Sequence, residues 1–219
     1  MDSYKSRPSL QQYADKFNIM IVGDIGVGKT QLLTKYGVVD DTAFPSSKSV
    51  IPNNHGVKQY NKEYEYDNKI YLFKIWDMVY KDKFDKSAKV FYKKADFIIL
   101  VCAINNRNSF LNLNKWIEDI KLNTSFNFSN MALISNKTDL IDEREVGLNE
   151  IRQKAEELEI DYFETSSNTG EGIKEAFDKI FLSIINTVYK QPQEQFETDD
   201  KQNVKDKNDD SSCSSCIIF

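Results

Sequence analysis

The sequence predicts an α/β protein, a three-layer sandwich with helices on both faces of a six-stranded, mostly parallel sheet. Three observations carry this. Phe97–Ile104 and Met131–Ser135 are near-continuous apolar runs, as parallel strands buried on both faces require. Strand patterns alternate with helical ones along the chain, the mark of a sheet covered by helices. A glycine-rich turn, Gly23-Asp24-Ile25-Gly26-Val27-Gly28, sits between a β-branched run and a helical pattern.

In chain order, Phe17–Gly23 reads as the first strand and Gly28–Tyr36 as the helix after the turn. From Gly37 to Gly56 the sequence is polar and aperiodic, holds Pro45 and Pro52, and reads as a long loop of the functional kind. Val57–Glu65 and Lys69–Trp76, separated by Tyr66-Asp67-Asn68, predict an antiparallel hairpin. Helices are expected over Ser109–Asn123, Leu148–Glu159 and Gly172–Lys190, about five in all. The last places Ile173, Phe177, Ile180, Phe181, Ile184 and Val188 on one stripe.

Composition sets the outer limits. The 219 residues are 40% hydrophobic and 29% charged, with 8 Gly and 4 Pro, a globular balance rather than a disordered or collagenous one. A formal charge of -5 provides no footprint for nucleic acid. No apolar run reaches the roughly 17–25 residues of a spanning helix, and the N-terminus lacks an apolar leader. Cys102 lies in an apolar run while Cys213 and Cys216 crowd the C-terminus, a pattern unsuited to disulfide stapling and expected of a cytosolic chain. The organisation is a short arm over 1–14, one domain over 15–190, and a polar tail over 191–219.

Gly23 to Thr30 matches G-x-x-x-x-G-K-[ST]. In that pattern backbone N–H groups wrap phosphates, Lys29 reaches the terminal ones, and Thr30 supplies a hydroxyl to Mg²⁺, with Gln31 following in the helix. Asn136-Lys137-Thr138-Asp139 follows immediately on a buried strand. A carboxylate at Asp139 accepts from both N1 and N2 of guanine, donors that adenine does not present, so the pair of motifs selects GTP/GDP over ATP.

These motifs, with Lys69–Asp77, Phe91–Asp96, Asn105–Phe110, Trp116–Ile120 and Phe163–Gly172, resemble the Ras superfamily of small GTPases, and the Rab family most nearly. The resemblance implies the small G-protein fold, bound guanine nucleotide with Mg²⁺, and a role in vesicle traffic. It also implies effector, exchange-factor and prenylation-escort partners. Asp77 resembles the strand-end carboxylate that holds Mg²⁺ through water. Ser166, Ser167 and Asn168 resemble the second guanine loop, with Asn168 where the family usually has Lys.

The switch segments depart from the family pattern. After Trp76-Asp77 the chain reads Met78-Val79-Tyr80-Lys81, so Tyr80 replaces a Gly and Lys81 the water-positioning Gln. An ammonium group has no acceptor with which to hold a water. Asn54 stands where a Mg²⁺-binding Thr is expected, and Ile25 stands beside the approach of a catalytic group. These departures imply weak intrinsic GTP hydrolysis, with a nucleotide-bound scaffold that does not cycle as the alternative. His55, the one histidine, reads as an exposed loop residue, and Glu143-Arg144-Glu145 as a solvated approach to a helix.

Cys216-Ile217-Ile218-Phe219 is a C-a-a-X pattern pointing to geranylgeranyl on Cys216, with Cys213 within reach of the same surface. Four Lys against seven acids from Lys190 onward give the tail no basic patch. The expected position is peripheral, on the cytosolic face of an endomembrane or the plasma membrane, held by lipid.

Overall fold

The computed structural model describes residues 12–40, 57–78, 91–123 and 130–190. Asn54, His55, Tyr80, Lys81, Cys213 and Cys216 lie outside them, as does most of the expected N-terminal arm. The elements are β1 (Asp15–Val22), α1 (Lys29–Tyr36), β2 (Val39–Asp40), β3 (Val57–Tyr66), β4 (Lys69–Met78), β5 (Phe97–Ala103) and α2 (Arg107–Leu111). They continue with α3 (Leu113–Asn123), β6 (Met131–Asn136), a 3₁₀ turn at Ile141–Glu143, α4 (Leu148–Glu157), β7 (Asp161–Glu164) and α5 (Ile173–Lys190).

The strands form one sheet in the order β2-β3-β4-β1-β5-β6-β7. Its β2-β3 and β3-β4 ladders are antiparallel, and β4-β1, β1-β5, β5-β6 and β6-β7 are parallel. This is the predicted mostly parallel sheet, widened at one edge by the two-residue β2 from within the stretch read as a loop. The predicted helix over 109–123 is two helices. Asn106 opens α2 by accepting from the Ser109 N–H at 3.1 Å, and Asn112 marks the junction with α3. Residues 13 and 14, read as part of the arm, are already tied down: Tyr13 donates to Glu63 at 2.6 Å and the Ala14 N–H to Ile70 O at 2.8 Å.

Alternation along the strands builds two cores. Ile99, Val101 and Ala103 of β5 face one side, with Leu32 and Leu33 of α1 and Ile173, Phe177 and Phe181 of α5. Ile98, Leu100 and Cys102 face the other, with Trp116, Ile117 and Ile120 of α3 and Ile151 of α4. All seven β5 residues are buried, which explains why its sequence shows no polar alternation. Phe73 and Phe181 stack with centroids 3.9 Å apart, and Tyr36 stacks on Phe177 at 4.5 Å. Such pairs contribute about 0.5–1.5 kcal/mol beyond area burial, the first fastening α5 to the sheet and the second to α1. Burial pushes the Cys102 thiol up to about 12, so it is an inert core group.

Parallel strands deliver their carboxyl ends to one rim. β1 lies between β4 and β5, where the chain turns from one side of the sheet to the other, and open α/β sheets bind ligands outside such a point. Val22, Asp77, Asn136 and Glu164 end or nearly end four of the strands there.

The β3-β4 hairpin closes through Asp67 and Asn68 at φ of 51° and 56°, the left-handed pair that a two-residue turn of matching twist demands. Asn68→Gly is expected to hold or raise stability, whereas Asn68→Ala lowers it by about 1 kcal/mol. Urea denaturation with an unchanged m-value checks both.

Candidate functional site

The rim holds a cleft of about 430 Å³ lined by Ile25, Gly26, Gly28, Lys29, Thr30, Gln31 and Asp77. Its floor is the turn between β1 and α1, and two glycines there are required by space. A Cβ on Gly23, at φ 146°, would lie 2.1 Å from Val101 O, and one on Gly28, at φ 98°, would lie 2.3 Å from Asn136 Nδ2. The N-cap residue of α1 is Gly28, which has no side chain to cap the first N–H groups, and the first turn of the helix holds no acid. Donors left unsatisfied at a helix start form an anion-binding rim.

Lys29 is 7% exposed, and its ammonium donates to Gly23 O at 2.8 Å and Asp24 O at 3.0 Å. Burial lowers its pKa, while the charges of Asp77 and Asp24 act in the opposite direction. Two of the three N–H donors serve the loop, so a third remains for an oxygen in the cleft.

The Thr30 hydroxyl donates to Asp77 Oδ2 in a short hydrogen bond. Asp77 is fully buried, its pKa is raised chiefly by desolvation, and its Oδ1 has no hydrogen-bond partner among the described residues. An orphaned buried carboxylate oxygen beside a hydroxyl is a hard-oxygen pair of the type that suits Mg²⁺. Ile25, 62% exposed, stands at the mouth.

Across the rim, the second motif organises two loops. Asn136 is fully buried, and its Nδ2 donates to Val27 O at 2.8 Å and Ser167 Oγ at 3.1 Å. Its Oδ1 accepts from the Ser167 N–H at 3.0 Å and the Thr165 hydroxyl at 3.3 Å. One side chain therefore joins the glycine turn to the loop after β7. Lys137 at φ 68° turns the chain so that Asp139 faces that loop, where Oδ1 accepts from the Ser166 hydroxyl at 2.5 Å. The Ser166 hydrogen bond, first among several, keeps the Asp139 carboxyl below its ordinary range and hence ionised.

The predicted residues 23–31, Asn136, Lys137, Asp139 and 166–168 are thus gathered on one rim, with Thr30 and Asp77 in contact. Sequence reasoning missed Asn112 and Trp116 as site residues. Asn112 Nδ2 donates to Asp24 Oδ2 at 2.6 Å, and Trp116 Nε1 donates to Asp24 Oδ1 at 3.0 Å. The bonds hold the Asp24 carboxylate by neutral donors on the α2–α3 junction. Eighty-eight and 92 positions separate the partners, so no local pattern shows the contact. Asp24→Ala and Trp116→Phe are expected to be non-additive by about 1 kcal/mol in a double-mutant denaturation cycle. Additive losses would show that the indole bond contributes nothing.

Comparison with known proteins identifies the family. The model of the Ras family matches residues 18–186. Ras-related protein Rab-11B of Dictyostelium discoideum is 33% identical over 172 residues, covering 78% of this chain and 75% of the relative. Ras-related protein Rab-2B of the same organism is 32% identical over 180 residues, covering 82% and 86%. Ras-related protein RABG3f of Arabidopsis thaliana is 34% identical over 169 residues, covering 74% and 79%. With the family matched over residues 18–186, which include both loops of the rim, the chain belongs to the Ras family and is a Rab-like small GTPase within it.

Proposed function

We propose that the protein binds GTP and GDP with Mg²⁺, hydrolyses GTP weakly, and acts as a Rab-like component of membrane traffic. The observation that supports this most is Asp139: an ionised carboxylate, oriented by the Ser166 hydroxyl, on the same rim as the anion-binding start of α1. A polyphosphate meets the glycine turn, α1 and the third N–H of Lys29, adding to the counter-charge that Asp77 and Asp24 give this buried ammonium. The base meets Asp139, while Asn136 fixes the distance between the two loops. Thr30 and Asp77 are the residues to hold Mg²⁺, which when bound neutralises phosphate charge.

Weak hydrolysis rests on residue identities: Lys81 and Tyr80 at the usual Gln and Gly positions, Asn54 at the usual Thr, and the exposed Ile25 at the mouth of the cleft. The same identities favour a second reading, a nucleotide-bound interaction scaffold that does not cycle by hydrolysis. Effector, exchange-factor and prenylation-escort proteins are the partners of either reading. Attachment to the cytosolic face of a membrane belongs to both, through lipid on Cys216 and Cys213. It accords with there being, among the described residues, no helix long and apolar enough to cross a membrane.

Competition against a fluorescent guanine nucleotide tests the ligand. GDP and GTP should displace it and ATP should not, and Asp139→Ala should weaken guanine binding on the order of 10²-fold or more. Equal displacement by ATP in the wild type sinks the reading.

Single-turnover hydrolysis separates the two functions. The expected rate lies below the order of 10⁻⁴ s⁻¹ of an unassisted small GTPase, and Lys81→Gln alone should restore little of it. A wild-type rate at or above that level would refute weak hydrolysis, and a measurable turnover accelerated by an activating protein would refute the scaffold.

A further inference from the structure

The guanine-reading carboxylate already has a donor from its own chain. Asn168 Nδ2 donates to Asp139 Oδ2 at 3.1 Å, on the exposed side of the carboxylate, while Ser166 occupies Oδ1 from the buried side. Because Asp139 is ionised it only accepts, so it is the amide nitrogen of Asn168, and not its oxygen, that faces it.

Asn168 reaches this place through its loop. Its carbonyl accepts from Lys35 Nζ of α1 at 3.2 Å. The Thr169 N–H donates to Ser166 Oγ at 3.0 Å, and the Gly170 N–H to Ser166 O at 2.8 Å, which closes the turn on either side of it. Gly170 sits at φ 94°, where an added Cβ would come 3.0 Å from Lys35 Cε, so the lysine lies close along the turn. The backbone of residue 168 is thereby pinned, and its short side chain ends at Asp139 Oδ2.

A primary amide NH₂ has the same donor chemistry as the N2 amino group of guanine. We propose that Asn168 is an affinity-determining residue that acts as an internal competitor of the base: its amide donates to the exposed Asp139 oxygen, and a base that takes that oxygen must displace it. The proposal rests on the guanine-binding reading above. A base gains at Asp139 only the difference between its own hydrogen bonds and the one displaced. Binding is weaker for that reason, and release is faster because the amide is tethered at hand to reclaim the oxygen. An ordinary net intramolecular hydrogen bond corresponds to about 2- to 10-fold in an equilibrium, which sets the size of the effect.

The experiment is release of a fluorescent GDP analogue from the full-length protein with Mg²⁺, chased by excess GDP, in a cycle of wild type, Asn168→Ala, Asp139→Ala and the double variant. Asn168 is exposed, so its truncation tests the bond and not the core. Asn168→Ala is expected to slow release and tighten equilibrium binding by about 2- to 10-fold in total. The gain should vanish in the Asp139→Ala background, because without the carboxylate there is nothing to compete for. Unchanged or faster release in Asn168→Ala overturns the proposal and makes the amide an orienting partner of Asp139 instead. So does a gain that persists without Asp139. A wild-type protein that fails to prefer GDP over ADP overturns the guanine reading itself, and is separated from the other outcomes by that control.

Discussion

The buried amide of Asn136 is the constraint on which the rest of the rim depends. It carries no charge, is closed to solvent, and has both ends of its amide engaged within the protein. Its four contacts belong to two loops remote in sequence, one after β1 and the other after β7. Within a low-dielectric interior such a group is costly if any partner is lost, so the loops are held in one relation to each other. Gly28 completes the arrangement, since any side chain there would enter the space of the Asn136 amide. The glycine turn and the loop after β7 are thus held at one distance by an uncharged residue buried between them.

Charge on the rim is handled by a different rule for each acid. Asp77 is buried with one oxygen unpartnered among the described residues, Asp24 is held by neutral donors from the α2–α3 junction, and Asp139 is kept ionised by a hydroxyl. Three carboxylates stand on the rim of the cleft proposed to take the phosphates. The first is the one proposed to face a cation, the second is turned toward a helix junction, and the third is turned toward the loop after β7.

The contiguous parts of this design were legible in the sequence. Gly23–Thr30 and Asn136–Asp139 are local patterns whose chemistry needs those residues at that spacing, and the apolar runs of β5 and β6 declared their own burial. The strand β7 escaped element-by-element reading because Asp161-Tyr162-Phe163-Glu164 is only four residues long and partly exposed at the sheet edge. β2 escaped because two residues carry no period. The break at Asn112 is invisible to helical periodicity, since the Trp116 N–H still bonds to Asn112 O at 3.1 Å. The holding of Asp24 and the engagement of Asp139 by Asn168 are tertiary contacts, and only the folded chain brings those partners together.

The two tryptophans of the chain stand in different relations to the glycine turn. Trp116 bonds through its indole N–H to the acid of the glycine turn. Trp76 precedes Asp77 on β4 and donates to Gln59 at 3.2 Å. Both rings are almost closed to solvent, at 6% and 5% exposure. Indole emission responds to the field and hydrogen bonding around the ring, and Trp116, bonded to Asp24, is coupled directly to the glycine turn, whereas Trp76 packs with Phe91 on the face of the sheet away from α1. A change at Asp24 would therefore be readable in the emission of Trp116 without a label.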